Sequence, residues 1–254
     1  DSDGGESATF NAIGGTVDIG TALFVSEDGP TRFDVSGSDV TAGELRVFYG
    51  GSTAIDFIMS GGSFTVGPVS NSGSLGVHGG VFESGDIDND HTIGVDGSTT
   101  TFRAASIDNA YLLAISNDAT VELTSGPLLN NQFLFGTGTI VGDVINNASI
   151  HAGGSGGLGS MTIDGNVTMA GLLRFEIGAS GFDTLDVTTP LALAGTLDVQ
   201  SFGDYVPDDG ASYTLLQAPS LSGAFDTVTV PNARYVVVQN ADSIVVQILS
   251  LIHI

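Results

Sequence analysis

The chain has 254 residues, 37 of them glycine, no cysteine, and a formal net charge of −24 from 29 acidic and five basic residues. A surface this acidic repels nucleic acid and anionic lipid, because binding either one requires a basic face, so nucleic-acid binding is excluded. The lack of cysteine excludes disulfide bonds and thiolate metal sites. Abundant turn residues combined with 41% hydrophobic residues predict many short buried strands rather than disorder.

Both ends of the sequence indicate a fragment, of the kind that metagenomic sequencing produces. Asp1 is not an initiator Met, and no signal peptide precedes the first apolar run. Residues 249–254 resemble the translation of a transposase adaptor used in sequencing-library preparation, and we interpret them as a scar. We therefore expect the export and anchoring signals of the full-length protein to lie outside this sequence.

A degenerate repeat in the N-terminal half predicts a solenoid. Phe10 recurs as Phe33 and Phe57, at steps of 23 and 24 residues, and glycine-rich turns follow each one. Units of this length, with two or three strands each, are typical of stacked rungs whose glycines turn the corners with positive φ. A further apolar position follows each of these residues after seven positions: Val17, Val40 and Phe64.

A β-sandwich with hairpin connections is the alternative to the solenoid. Such a fold places tight-turn dipeptides between paired antiparallel strands. The sequence contains three dipeptides of this kind, at Asp28-Gly29, Asp96-Gly97 and Asp209-Gly210. The repeat favours the solenoid, and the sequence leaves the sandwich open.

The C-terminal half carries a more specific ordered series of short strands and turns. Its pieces are residues 136–144, 146–150, 161–167, 182–187, 194–199, 213–216 and 222–225. Over residues 136–248 this series resembles the end of the β-helix in bacterial autotransporter passengers and in surface proteins with autotransporter-associated β-strand repeats. The resemblance implies an all-β fold, a right-handed parallel β-helix that ends in a capping set of hairpin-like strands.

Three segments follow from the repeat and the resemblance. Residues 1–135 are predicted to be degenerate β-helix rungs, residues 136–248 the end of the β-helix and its cap, and residues 249–254 the adaptor scar. The resemblance implies a cell-surface or extracellular location, with the full-length protein associated with the outer membrane. No stretch of the sequence is apolar enough to predict membrane insertion within the fragment.

One motif formally matches a catalytic nucleophile. Gly153, Ser155 and Gly157 fit the G-x-S-x-G pattern, which requires a strand before it, a helix after it and a histidine brought in from downstream. No helix is predicted there, and the only later histidine, His253, lies in the suspected scar. We interpret the match as chance in a glycine-rich run and predict no catalytic residue.

An acidic run resembles the start of a calcium loop. Asp86, Asp88 and Asp90 alternate, but His91 stands at the sixth position, where the loop needs glycine, and Gly97 at the twelfth, where it needs Glu. We expect a solvated outer face or turn at this place. Weak calcium binding there stays open.

No other metal or cofactor site is predicted. His78, His91 and His151 show no ligand spacing. A polysaccharide lyase normally uses Arg or Lys with bound calcium, and this chain has no lysine. Its arginines are scattered: Arg32, Arg46, Arg103, Arg174 and Arg234.

Three functional hypotheses remain. The leading one is a non-enzymatic surface passenger that acts as a structural spacer or an adhesin, with a host or environmental glycan or a surface protein as its partner. The second is a carbohydrate-active β-helix, a polysaccharide lyase or a glycoside hydrolase, with carboxylates grouped on one outer face. The third is a surface-layer protein whose partner is another copy of itself.

Overall fold

The computed structural model of the protein describes residues 8–25, 31–48, 57–154 and 156–250. The regular secondary structure in these ranges is β-strand throughout, with no helix among the described residues. No helix that is long and apolar enough to cross a membrane is therefore found in them. The chain divides into two compact units, residues 1–128 and 129–254.

In the first unit, every third strand belongs to the same parallel sheet, so each rung contributes one strand to each of three sheets. The sheet orders are β1-β4-β7-β10-β13-β16, β2-β5-β8-β11-β14-β17 and β3-β6-β9-β12-β15. The strands are β1 (Ala8–Ile13), β2 (Thr16–Asp18), β3 (Ala22–Val25), β4 (Thr31–Ser36), β5 (Asp39–Ala42), β6 (Glu44–Val47), β7 (Phe57–Met59), β8 (Ser63–Val66), β9 (Val69–Asn71), β10 (Ser74–Val77), β11 (Val81–Glu83), β12 (Ile87–Asn89), β13 (Thr92–Asp96), β14 (Thr101–Ala104), β15 (Ile107–Asn109), β16 (Leu112–Ser116), β17 (Thr120–Leu123) and, across the boundary, β18 (Leu128–Asn130).

The second unit repeats this arrangement with the orders β19-β22-β25-β29-β32, β20-β23-β27-β30-β34-β33 and β21-β24-β28-β31. Its strands are β19 (Phe133–Gly136), β20 (Thr139–Val141), β21 (Val144–Asn146), β22 (Ser149–Ala152), β23 (Ser160–Asp164), β24 (Val167–Met169), β25 (Leu172–Gly178), β26 (Gly181–Phe182), β27 (Thr184–Val187), β28 (Leu191–Leu193), β29 (Thr196–Ser201), β30 (Ser212–Gln217), β31 (Leu221–Gly223), β32 (Thr227–Thr229), β33 (Tyr235–Gln239) and β34 (Ser243–Ile248). The all-β, parallel β-helix class is thereby confirmed.

The predicted repeat is the register of the stacked rungs. Phe10 pairs with Phe33 and Phe33 with Phe57 on adjacent parallel strands. Their rings stack with centroids 4.8 and 5.7 Å apart. The positions seven residues further on form the next inward ladder, that of Val17, Val40 and Phe64. Because each rung puts the same kind of side chain above its predecessor, the sequence period predicts the pairing correctly.

Glycines with positive φ turn the corners of several rungs, as predicted, whereas Asn117 and Asp118 take this conformation between β16 and β17. Gly62 has φ +79°, and a Cβ on it would collide with the carbonyl oxygen of Ser38 on the previous rung. Gly80 occupies the same place one rung later, with φ +80°. This next rung is shorter: Phe82 pairs with Phe64 after only 18 residues.

In the first unit, a ladder of buried asparagines lies where the strands of the third sheet end. Asn71, Asn89 and Asn109 are each 2% exposed or less and end consecutive strands of the third sheet. The Nδ2 of Asn71 donates to the Oδ1 of Asn89, and the Nδ2 of Asn89 to the Oδ1 of Asn109, both at 2.7 Å. In the second unit Asn130 and Asn146 repeat the contact at 2.8 Å.

The C-terminal cap is also confirmed. Strand β34 pairs antiparallel with both β30 and β33, so the second sheet of this unit ends in a hairpin. In the sandwich alternative, Asp96-Gly97 would join paired antiparallel strands. Asp96 instead ends β13 and Gly97 begins the connection to β14, and these two strands belong to different sheets and pair in parallel with other rungs.

Strand β25 shows how one strand divides its side chains between the core and the outer face. Leu173, Phe175 and Ile177 are fully buried, whereas Arg174 and Glu176 point to the other side, as the alternation predicts. That outer side is where the structure brings together the side chains described next.

Candidate functional site

Many outer carboxylates are held by a hydroxyl from the next rung. Asp39 accepts a hydrogen bond from Ser63 at 2.7 Å, and Asp86 accepts one from Ser106 at 2.7 Å. In the second unit Asp164 accepts one from Thr188 at 2.6 Å. These acids join neighbouring rungs, so their first role is structural.

Asp86, Asp88 and Asp90 do not meet around a common point in the described structure. The only described group of three metal-ligating side chains lies elsewhere. Asp88 pairs in register with Asp108 on the next rung. Partial burial, with repulsion from Asp90 and Asp108, raises the pKa of Asp88. These three aspartates therefore belong to an outer face on which negative charges lie side by side.

The three histidines considered from the sequence lie in different surroundings. His78 Nδ1 is 3.6 Å from Asp96 Oδ2, and both side chains are about one-third exposed. His91 contacts the carbonyl oxygen of Gly73 through Nδ1 at 3.0 Å and stacks on Tyr111. Only His151 lies in a cluster with carboxylates.

The G-x-S-x-G match has a strand on each side. Strand β22 precedes it and strand β23 follows it, whereas a nucleophile elbow requires a helix in the second place. Ser155 lies outside the described residues. Gly153 has a different role, because it packs directly against the carboxylate of Asp183.

The cluster consists of His151, Glu176 and Asp183 on the outer side of the first sheet of the second unit. One ligand atom from each residue lies within 4.8 Å of the other two. His151 Nε2 is 3.4 Å from Glu176 Oε2 and 3.5 Å from Asp183 Oδ2. The side chains are 9%, 20% and 0% exposed, respectively, so only Glu176 has appreciable contact with solvent.

Strand β22 and the hairpin formed by β25 and β26 place these side chains. His151 is the outward residue of β22 and pairs in register with Arg174 of β25. Strand β25 runs on beyond the length of β22 and turns back in a short antiparallel pairing with β26. Asp183 follows β26 directly, and its backbone N–H donates to the carbonyl oxygen of Glu176 at 2.8 Å. This hairpin carries the aspartate over the outer face and covers the histidine.

The Asp183 carboxylate is fixed by backbone donors. Its Oδ1 accepts a hydrogen bond from Gly159 N at 3.0 Å, and its Oδ2 accepts one from Glu176 N at 2.8 Å. Charge-assisted bonds to backbone N–H groups compensate part of the cost of burying a carboxylate. Each oxygen still has a lone pair available for a further partner.

The imidazole of His151 is enclosed but unsatisfied. Phe135, its register partner on β19, packs edge-on against the ring at 5.5 Å. Despite the two nearby carboxylates, His151 Nε2 makes no hydrogen bond. A buried polar atom without a hydrogen bond is uncommon in folded proteins, which distinguishes this nitrogen from most buried polar atoms.

Arg174 lies beside the cluster but is engaged elsewhere. Its Nε and Nη2 atoms contact the same Oδ2 of Asp198, at 2.9 and 2.8 Å. Asp198 is also held by Gln200 Nε2, at 3.1 and 3.2 Å. The guanidinium therefore neutralises Asp198 and leaves the His151 group with an excess of carboxylate charge.

No protein-family model matches the chain, and no curated protein is significantly similar to it.

Proposed function

We propose that this chain is part of a non-enzymatic surface or secreted passenger that acts as a structural spacer or adhesin at the bacterial cell surface. The observation that supports the proposal is how the outward-facing acidic side chains are distributed and hydrogen-bonded. They are spread along the rungs of both units, and hydroxyls of neighbouring rungs hold them, as Ser63 holds Asp39 and Thr188 holds Asp164.

Registered outer faces suit weak multivalent contacts. In the first unit, Glu83, Arg103 and Glu122 stand in one ladder, with the arginine bonded to both acids at 2.7 and 2.8 Å. Neighbouring strands are about 4.8 Å apart, so a ladder presents polar groups at a regular spacing. Several weak contacts along such a face add up to useful avidity without a closed pocket.

The charge restricts the partner. A net charge of −24 repels acidic polysaccharides and favours a neutral glycan or a basic protein surface. Contacts with a basic protein surface should weaken as the salt concentration rises.

A carbohydrate-active enzyme is the second candidate, and the cluster of His151, Glu176 and Asp183 is what favours it. Two carboxylates lie close together there, with Arg174 on the same strand as Glu176. Against this candidate, the Asp183 side chain has no exposed surface and Arg174 is paired with Asp198. A glycosidase needs two carboxyl groups that both reach the sugar.

Adhesion is tested with beads that carry the purified chain at high and at low density. Each bead type is incubated with immobilised neutral glycans, acidic glycans and basic protein surfaces. We expect retention on neutral glycans or basic proteins that falls steeply at low density, since multivalency requires several chains. Heat-denatured chain is the control. Absence of retention on every surface contradicts the adhesin function, and concentration-dependent sedimentation of the chain alone would indicate the self-associating alternative.

A further inference from the structure

We propose that His151, Glu176 and Asp183 bind one divalent first-row transition-metal ion, of which zinc is the representative. This inference is independent of the adhesin function, because a bound ion is compatible with a scaffold. It departs from the expectation of no metal site, which rested on histidine spacing. The two carboxylates come from a strand and a hairpin that spacing alone does not bring to His151.

The interatomic distances fit a metal centre. Ligand atoms of a tetrahedral zinc site, with bonds of about 2.0 Å, lie roughly 3.3 Å from one another. The Nε2 of His151 is 3.4 Å from an oxygen of Glu176 and 3.5 Å from one of Asp183. These two separations need little adjustment to accept an ion, and all three ligand atoms lie within 4.8 Å of one another.

The unsatisfied nitrogen is the second, independent observation. The His151 side chain is 9% exposed, and its Nε2 lies between two carboxylate oxygens without a hydrogen bond to either. A metal ion would use the nitrogen lone pair and offset the two negative charges. Binding therefore satisfies the nitrogen and the excess charge together.

The surroundings of Asp183 resemble the outer shell of a metal site. Backbone N–H groups of Gly159 and Glu176 each bond one of its oxygens and fix the carboxylate orientation. Gly153 has no Cβ, and one added there would overlap the carboxylate. Such orienting partners normally accompany ligating carboxylates.

The donor set selects the class of ion. One imidazole nitrogen and two carboxylate oxygens suit zinc and its neighbours, whereas calcium needs six to eight oxygen ligands. Glu176, which is 20% exposed, lies on the solvent side, where an ion would enter and a water molecule could complete the coordination.

The bound ion would link the β25–β26 hairpin, which interrupts the repeat, to the neighbouring strand β22. His151 belongs to β22, whereas Glu176 and Asp183 flank the turn between β25 and β26. Coordination links these elements by bonds that the unfolded chain cannot make in the same geometry, so it stabilises the folded state.

Direct titration tests the proposal. Chain without a histidine tag is treated with chelator, dialysed and titrated with ZnCl2 by calorimetry, and the absorption spectrum is recorded after addition of Co²⁺. The variants are His151→Gln and Glu176→Gln, whose folding is checked by circular dichroism. His78→Gln is the matched control, because His78 is near a single carboxylate and about one-third exposed.

We expect one zinc ion per chain, a rise in the melting temperature with zinc, and intense visible bands with Co²⁺ from four-coordinate geometry. His151→Gln should weaken zinc binding by roughly 100-fold or more and Glu176→Gln by at least about tenfold, with His78→Gln unchanged. The proposal is overturned if the folded chain binds no zinc, or if His151→Gln binds as tightly as the original chain. The first of these results would leave the three side chains with a structural role alone.

Discussion

Asn89 donates a hydrogen bond from its Nδ2 to the Oδ1 of Asn109, 2.7 Å away, inside the first unit. The same Nδ2 also contacts the carbonyl oxygens of His91 and Leu112, at 3.0 and 3.1 Å. Asn89 is fully buried. One amide thus satisfies the backbone of two rungs as well as the neighbouring side chain.

Replacing this amide should be costly. Asn89→Ala removes hydrogen bonds from buried polar groups on both adjacent rungs, so we expect a loss of about 3 kcal/mol or more in the free energy of unfolding. Asn89→Asp keeps the shape but removes the donor and adds a buried charge, so its stability should recover partly as the pH falls. Urea denaturation measures both. Ser70→Ala, at an exposed position on the same sheet, is the control; an equal effect there contradicts the ladder's role.

The phenylalanine stack should dominate the core of the first unit. Phe82 is fully buried between Phe64 and Phe102, with ring centroids 5.6 and 4.8 Å away. We expect Phe82→Ala to cost about 4 kcal/mol, from lost burial, a cavity and lost ring stacking. Phe24 is 60% exposed, so Phe24→Ala should cost about 1 kcal/mol or less. Similar thermal shifts for the two variants would refute the predicted contrast.

Charge removal at Asp88 should stabilise the protein at neutral pH. Folding raises its pKa, mainly through burial and repulsion from Asp90 and Asp108, so the penalty for ionisation is absent below the unfolded-state pKa of about 3.9 and develops as the pH rises. Asp88→Asn should therefore gain less than about 1 kcal/mol at pH 7, because exposed charges are screened, and nothing at pH 3. Denaturation at both pH values measures this, with Asp204→Asn as the control for loss of charge alone. A destabilised Asp88→Asn at pH 7 would contradict the repulsion.

Asp96 should behave in the opposite way. A hydrogen bond from Ser116, followed by those from Asn117 and His78, lowers its pKa despite partial burial. A carboxyl group with a lowered pKa contributes stability above its unfolded-state pKa and loses it as the pH falls through the folded-state pKa. Asp96→Asn should cost up to about 1 kcal/mol at pH 7, with a smaller difference at acid pH. A cost that stays constant with pH would indicate that charge is not involved.

Three glycines around the loop after β22 offer a graded test. Gly157 has neither a positive φ nor a nearby atom, so Gly157→Ala should be nearly neutral. Gly156 has φ +86° in open space, so Gly156→Ala should cost about 1 kcal/mol from backbone strain alone. Gly153 has φ +102° and abuts Asp183, so Gly153→Ala should cost the most. Thermal unfolding ranks the three, and a neutral Gly153→Ala would contradict the tight packing of Asp183.

The solenoid and its register were predictable because they follow from a period. Phe10, Phe33 and Phe57 recur at nearly constant steps, and stacking turns equal steps into aligned side chains. The asparagine ladder was missed, although Ile-Asp-Asn occurs twice, at residues 87–89 and 107–109. A polar residue repeated at one point of the rung was the available signal.

The His151 cluster was not predictable in full. The alternation along β25 places Glu176 on the outer side, and the rung length places Arg174 beside His151. Asp183 reaches them only because the hairpin between β25 and β26 breaks the repeat. A hairpin that interrupts the repeat has no sequence period, so the spacing of residues does not predict which side chains it contacts.

We propose that the chain acts by presenting its outer faces and not by catalysis. The most direct measurement incubates the purified chain with labelled neutral and acidic polysaccharides and analyses retained and soluble material by size and by absorbance of unsaturated sugars. We expect every retained glycan to be recovered at its original length. Shortened or unsaturated products that disappear with Glu176→Gln would contradict it and establish the enzyme.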